Sequence, residues 1–337
     1  MGSGLSVGVF GATGAVGSEI VRLLESSKWQ IDNLGLFGSE RSAGKSVSWR
    51  ASSVSIQLFD PNSHHVHDLV LFATNSQNSL EIAPTLASQG TYVVDNSSAF
   101  RMNDAVPLVI PEINFDTILP ESRIIANPNC CTIILLMAVA PLRAFGKIKR
   151  IVVSTYQSAS GAGREAMEEL EVSTRAYLNG EDFTPEILPY PYAFNLFNHN
   201  TEIGEDGYNG EETKMILETR KILDDPEIAV NPTCVRVPIL RSHSESITVE
   251  FDGDAPSVED VRECLAAFPG VKIIDDRAAN RFPMPIDSNG SHDVFVGRIR
   301  KDVSNPQAIS LFVCGDQLLK GAALNAVQIG ERLFGLN

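Results

Sequence analysis

The chain has 337 residues, 43% hydrophobic and 20% charged, which is enough for two domains with sizeable cores and too apolar for a disordered chain. Its formal net charge of −15 excludes sequence-independent nucleic-acid binding, which needs a basic surface, but leaves room for a local cationic site that takes a small anion. No apolar run is long enough to cross a bilayer, and Met1-Gly2-Ser3-Gly4 has neither the basic nor the apolar region of a secretory leader.

The five cysteines, at 130, 131, 234, 264 and 314, form no CxxC pair and read as reduced thiols in the cytoplasm. His64, His65 and His67 cluster in a polar stretch without cysteine partners, so they read as solvated surface, and no metal site is expected.

Leu5–Phe10 reads as a strand running into Gly11-Ala12-Thr13-Gly14-Ala15-Val16-Gly17 and then a helix to about Ser27. In this strand–turn–helix context Gly11 permits the tight turn, Gly14 lets a phosphate approach the backbone, and Gly17 permits close helix–strand packing. The helix N-terminus then receives a pyrophosphate. A second strand lies near Leu34–Phe37. Ser39-Glu40-Arg41-Ser42-Ala43-Gly44-Lys45 follows it, where an NAD-type site commonly has a ribose-binding acid. Hydroxyls and cations there suit the 2′-phosphate of NADP, while Glu40 keeps NAD open.

Residues 49–58 alternate weakly. Leu69–Thr74 reads as a buried strand, Ser79–Ser88 as a helix and Tyr92–Asp95 as another strand, an alternation that implies a mostly parallel sheet. Asp95-Asn96-Ser97-Ser98-Ala99-Phe100-Arg101 sits at a strand end, and Arg101 is a candidate clamp for a phosphate or carboxylate.

Arg123–Ala126 leads into Asn127-Pro128-Asn129-Cys130-Cys131-Thr132 and a helix that is apolar nearly all round, stopped or kinked at Pro141. Cys130 and Cys131 fall in its first turn, where free N–H groups and the helix dipole favour a thiolate. Cys130 is a candidate nucleophile; the plainer reading is a small buried hydrophobe. A strand over 150–156, a small-residue turn Gln157–Gly163 and a helix over 164–179 follow. Residues 180–209 are irregular, a length of loop that usually covers a site or builds an interface. A helix opens at Gly210 and puts Glu211 and Lys214 on one face, as ligand groups or as a surface ion pair. Cys234–Leu240 reads as extended, Ile247–Phe251 as a strand, and Ser257 as the cap of a helix to Phe268. Strands near 294–297 and 308–314 precede a final helix over 318–333.

Taken together, GATGAVG (11–17), SERSAGK (39–45), DNSSAFR (95–101), NPNCCT (127–132), TYQSASGAG (155–163), EETK (211–214), RVPILRSH (236–243) and LLKGAALNAVQ (318–328) resemble, in order, the aspartate-semialdehyde dehydrogenase family. The resemblance implies a Rossmann-type NADP-binding domain, residues 1–127 with 318–337. It also implies an α+β catalytic and dimerisation domain with a largely antiparallel sheet, residues 128–317. It implies reversible, NADPH-dependent reduction of aspartyl phosphate through a cysteine thioester, in biosynthesis of lysine, methionine, threonine and isoleucine. Cys130 would be the nucleophile, His243 the general acid/base, and Gln157 would orient the acyl group or a water. Arg236 would grip the α-carboxylate and Glu211 the amino group. Arg101 and Lys214 would hold the phosphate, with Asn129 nearby. Gly11, Thr13, Gly14, Ala15 and Val16 would line the cofactor, Ser39, Arg41 and Ser42 its 2′-phosphate, and Ser160, Gly161 and Asn325 would complete its site. The partners implied are the small-molecule substrate and a second copy, as a homodimer or homotetramer, with no nucleic acid and no membrane.

Three positions depart from the family: Cys131 where serine is usual, Thr74–Ser79 where a glycine pair is common, and Gln317 for a common asparagine. N-acetyl-γ-glutamyl-phosphate reductase is the nearest enzymatic alternative, disfavoured by Gln157, Asn129 and the Glu211/Lys214 pair. A catalytically silent paralogue is the other.

Overall fold

The computed structural model describes residues 4–60 and 67–336. The chain divides into two compact units, Met1–Asn129 with Ala322–Asn337 and Cys130–Gly321.

In the first unit the order is β1 (Leu5–Phe10), α1 (Ala15–Ser26), β2 (Ile31–Phe37), β3 (Ser46–Trp49), β4 (Ser52–Gln57), β5 (Leu69–Phe72), α2 (Ser76–Ser88), β6 (Tyr92–Asp95), α3 (Pro111–Asn114) and β7 (Ile124–Ala126). They form a seven-stranded sheet in the order β3-β4-β2-β1-β5-β6-β7, parallel except for the β3–β4 hairpin. Central strands buried on both faces need continuous apolar runs, and β5 is one, fully buried from Leu69 to Phe72. Phe10 stacks on Phe72 at 4.4 Å and on Phe37 at 4.6 Å, tying three strands together. Each such side chain contributes roughly 1.5–3 kcal/mol on burial. The weakly alternating stretch is the hairpin, and α2 starts three residues earlier than its sequence pattern predicts. There the Asn75 side chain accepts the Asn78 N–H at 2.9 Å and caps the helix.

The histidine cluster needs correction. His64 and His65 lie outside the described residues, and His67 is buried rather than solvated. Its Nδ1 is 2.9 Å from Ser6 Oγ, its carbonyl accepts from Thr91 Oγ1 at 2.7 Å, and its ring stands edge-on to Phe37. Gly35 makes the space, since a Cβ there would lie 2.7 Å from His67 Nε2.

The second unit opens with α4 (Cys130–Val139), whose residues from Cys131 to Val139 are all fully buried, and which gives way to a 3-10 segment at Ala140, just before Pro141. Then come β8 (Ile148–Gln157), α5 (Arg164–Asn179), β9 (Phe197–Asn198), α6 (Gly210–Leu223), β10 (Ala229–Arg236), β11 (His243–Phe251), α7 (Val258–Ala267), β12 (Val271–Ile273), α8 (Pro285–Ser288), β13 (Val294–Lys301) and β14 (Ala308–Gly315). The sheet order is β12-β13-β14-β11-β8-β10-β9, antiparallel except at β8–β10 and β12–β13.

Ser257 caps α7, as its sequence predicts, by accepting the Asp260 N–H at 3.1 Å. Strand β10 starts at Ala229, earlier than the extended stretch predicted from Cys234. Its buried positions Val230, Pro232, Cys234 and Arg236 keep strict alternation through a proline that hides the strand in the sequence. Strand β11 likewise starts at His243, so the histidine is a strand residue.

The last helix is not uniform. A π-helical turn, Leu319–Ala323, precedes α9 (Leu324–Phe334). Helix α9 belongs to the first unit, where Gly330 allows close contact with Trp29 and Leu69.

Candidate active site

Cys130 is the first residue of α4, half-buried, at the positive end of the helix dipole. Its sulfur, the Cys131 sulfur and a ring nitrogen of His243 all lie within 4.8 Å of one another. The Cys130 thiol is held well below the ordinary thiol range: a hydrogen bond from Cys131 does most, burial opposes it, and the neighbouring His243 assists. Cys131 goes the other way, because burial and the neighbouring Cys130 keep it a thiol.

The backbone N–H of Ser158 donates to His243 Nδ1 at 3.0 Å, and Ser158 Oγ lies 3.1 Å from the same atom. A nitrogen that accepts an N–H carries no proton, so in the neutral ring the proton sits on Nε2. Among the described residues Nε2 has no hydrogen-bond partner. It is therefore a donor available to sulfur or to an oxyanion. The same protonation removes Nε2 as a metal ligand, although the Cys130–Cys131–His243 spacing would otherwise suit a soft metal.

Around this centre the second unit gathers charged groups. Gln157, at the end of β8, is fixed between Thr155 Oγ1, which donates to its Oε1 at 3.1 Å, and Glu211 Oε1, which accepts from its Nε2 at 3.2 Å. Glu211 is buried in the first turn of α6, a helix start set by the Asn209–Glu212 capping box. Its Oε2 takes the Lys214 ammonium at 3.1 Å. Arg236, at the end of β10 and parallel to Gln157 in register, is buried. Its Nη2 lies 2.8 Å from His199 Nε2, and its Nε has no partner among the described residues.

Thus Cys130, Gln157, Glu211, Lys214, Arg236 and His243 all fall within one unit. Ser160 and Gly161, expected at the cofactor, lie here too. Ser160 Oγ bonds Ser158 Oγ and the Gln317 amide, and a Cβ at Gly161 would stand 3.0 Å from the His243 ring and 3.2 Å from Arg236 Nη1. Gln317 also accepts the Ser242 N–H at 2.9 Å.

Three groups escape sequence reasoning. His199 sits in the irregular stretch, and burial pushes its pKa down to about 4, so it is neutral and accepts from Arg236. Ser158 acts through its backbone. Gly321, in the π-helical turn, brings its backbone to the nucleophile, since a Cβ there would lie 3.0 Å from Cys130 Cβ. The only signal in the sequence is the small-residue pattern around Ser158 and Gly321.

The first unit holds Arg101, Asn129 and the glycine loop. Gly11 has φ +75, and a Cβ on it would lie 2.2 Å from the Ala73 carbonyl oxygen, so glycine is required there. A Cβ at Gly17 would meet the Gly11 carbonyl oxygen at 2.1 Å. Gly14 precedes α1 without any side-chain cap, which leaves the N–H groups of Ala15 and Val16 at an uncapped helix start. Thr13 Oγ1 and Ser42 Oγ are 3.1 Å apart, which brings the loop to the 39–45 turn that also carries Ser39 and Arg41. These residues fit a dinucleotide. Arg101 is buried, with Nε on the Asn127 carbonyl at 2.9 Å and Nη2 on the Asn96 carbonyl at 2.7 Å, and Asn325 Nδ2 reaches Val109 O and Asn127 Oδ1.

Residues 6–120 match the family described as semialdehyde dehydrogenase, NAD binding domain, and residues 139–320 match its dimerisation domain. The chain is 49% identical to an aspartate-semialdehyde dehydrogenase of Prochlorococcus marinus, over 98% of this chain and 96% of that one. It is 44% identical to that of Bacillus subtilis, over 100% and 99%. Aspartate semialdehyde dehydrogenase II of Vibrio cholerae, solved with ASA, superposes with a TM-score of 0.94 at 38% identity, covering 99% of each chain. The enzyme of Candida albicans, solved with NADP, gives 0.78 at 26%, covering 98% of this chain and 99% of the other.

Proposed function

The chain belongs to the aspartate-semialdehyde dehydrogenase family, and from that premise we propose that it reduces L-aspartyl 4-phosphate to L-aspartate 4-semialdehyde and phosphate, reversibly, through a thioester on Cys130. The reaction serves biosynthesis of lysine, methionine, threonine and isoleucine, and the protein acts in the cytoplasm with residues 1–127 and 318–337 binding the cofactor. The observation that carries the reading is the group of Cys130, His243, Gln157, Glu211, Lys214 and Arg236 within one unit, each with a charge or a polar group that the substrate requires.

The Cys130 thiolate attacks the β-carbonyl, the C–O bond to phosphate breaks, and phosphate leaves as the thioester forms. NADPH, when bound, supplies the hydride that reduces this thioester. His243 Nε2–H and the N–H groups heading α4 stabilise the oxyanion, and its collapse expels the thiolate and frees the aldehyde. The Arg236 guanidinium, whose Nε–H has no partner among the described residues, takes the α-carboxylate. Glu211 takes the ammonium, Lys214 and Arg101 the phosphate with Asn129 beside it, and Gln157 the acyl oxygen. On the cofactor side, the Gly11–Val16 loop takes the pyrophosphate, while Ser39, Arg41 and Ser42 take a 2′-phosphate, which favours NADP over NAD. Ser160, Gly161 and Asn325 support the cofactor's other end, and the match to a dimerisation domain supports a homodimer or homotetramer.

Phosphate-dependent reduction of NADP⁺ by L-aspartate 4-semialdehyde tests this, run beside N-acetyl-L-glutamate 5-semialdehyde and beside NAD⁺. Turnover with the first substrate and preference for NADP⁺ are expected. Turnover only with the second would make the protein an N-acetyl-γ-glutamyl-phosphate reductase, and none with either a silent paralogue. Sedimentation at micromolar concentration should show a dimer or larger.

A further inference from the structure

We propose that Cys131 is a positioning residue for the nucleophile: its Sγ–H donates to the Cys130 sulfur and holds negative charge there while Cys131 itself stays a thiol. The inference rests on Cys130 as the nucleophile and concerns how its thiolate is made.

Two neighbouring sulfurs and a ring nitrogen share a space within 4.8 Å. The usual way to hold a thiolate is an ion pair with an imidazolium. Here the Ser158 N–H occupies His243 Nδ1 at 3.0 Å, and a doubly protonated ring would have to break that bond. The neutral ring offers Nε2–H, a dipole and not a charge. The helix offers N–H groups, again dipoles. A further donor beside Cys130, among the described residues, is the thiol of Cys131, fully buried.

Other titratable groups facing Cys130 do not help. Glu211, from α6, opposes the thiolate. Glu245, on β11 two residues after His243, is fully buried with neither carboxyl oxygen hydrogen-bonded among the described residues. Burial, then Cys130, raise its pKa well above the carboxylate range, so it is a neutral acid. A buried thiol is suited to the donor role: burial and the adjacent sulfur keep its proton on.

The pair does not read as a disulfide. Consecutive Cα atoms are about 3.8 Å apart. Disulfides usually span about 4.4–6.8 Å, so a bridge here would strain the peptide that joins the two cysteines.

The test is the pH dependence of iodoacetamide alkylation of the full chain, with the label located by fragmentation mass spectrometry. The parent should alkylate at Cys130 with a midpoint below that of a free thiol. Cys131→Ala should raise the midpoint by about one pH unit, slowing alkylation about tenfold at any pH below both midpoints. It should lower kcat with little change in KM for the semialdehyde. Cys131→Ser, which keeps a donor of similar size, should restore the parent midpoint. An unmoved midpoint in Cys131→Ala, or one raised equally in Cys131→Ser, overturns the proposal, because a purely packing role changes melting temperature and not the midpoint. Thiolate absorbance of the parent, less that of Cys130→Ser, needs no Cys131 variant: one thiolate should form well below the next, and Cys131 ionising first overturns the proposal. Full turnover by Cys130→Ser instead sinks the assignment of the nucleophile itself.

Discussion

Glu211→Gln separates the substrate clamp from the nucleophile, because the two respond in opposite directions. Glu211 is buried, with Oε1 on Gln157 Nε2 at 3.2 Å and Oε2 on Lys214 Nζ at 3.1 Å. The amide keeps the shape and still accepts from Gln157, but it carries no charge for the substrate ammonium and turns an N–H₂ toward Lys214. Loss of one charge-assisted hydrogen bond costs about 1.5–3 kcal/mol, or roughly 10- to 150-fold in kcat/KM. The loss should appear chiefly as a raised KM for the semialdehyde. Fold stability should change by only about 1 kcal/mol or less, because the Lys214 side chain is 35% exposed and solvent takes over the ammonium. The carboxylate of Glu211 also pushes the Cys130 pKa up, against the net depression. Removing it lowers that pKa further, so the alkylation midpoint moves to lower pH while turnover falls. Steady-state kinetics and alkylation at several pH values read both effects. A kcat/KM within threefold of the parent, or a midpoint that rises, refutes this account of Glu211.

Three further outcomes follow from other parts of the chain. Gly17→Ala places a Cβ about 2 Å from a backbone oxygen, so the helix must move; a melting-temperature drop equivalent to about 1–3 kcal/mol and weaker NADPH binding by titration are expected. Arg41→Glu should lower NADP⁺ preference over NAD⁺ at least about tenfold in kcat/KM ratio, the worth of one charge-assisted contact. His199 has a folded pKa of about 4, depressed from 6.5 by burial. Its contribution to stability is therefore complete above pH 6.5 and is lost as pH falls toward 4, by on the order of 3 kcal/mol. His199→Gln, a neutral acceptor for Arg236, should flatten the melting-temperature profile in that window relative to the parent.

Local rules made much of the architecture legible. The glycines of 11–17 announce a strand–turn–helix because a side chain at Gly11 or Gly17 would run into a backbone carbonyl oxygen. The unbroken apolar run after Cys130 announces a buried helix, Pro141 its end, and Ser257 a cap. Strand β10 was obscured by Pro232, and β11 by the polar start His243-Ser244-Glu245, whose burial comes from neighbouring strands and not from its own composition. The burial of His67 is hidden for the same reason: its neighbours in sequence are polar, but Gly35 and Phe37 of β2 enclose it.

By itself, then, the sequence determined the two-part α/β organisation, the cysteine at a helix head and the types of charge that a phosphorylated amino acid requires. Those follow from backbone sterics, periodicity and residue chemistry, which act over a few positions. Tertiary structure alone decided the tautomer of His243, set by an N–H 85 residues away, the neutrality of His199 on Arg236, and the burial of Glu245. Hydrogen-bond partners and desolvation set ionisation, and both come from residues that only the folded chain brings together.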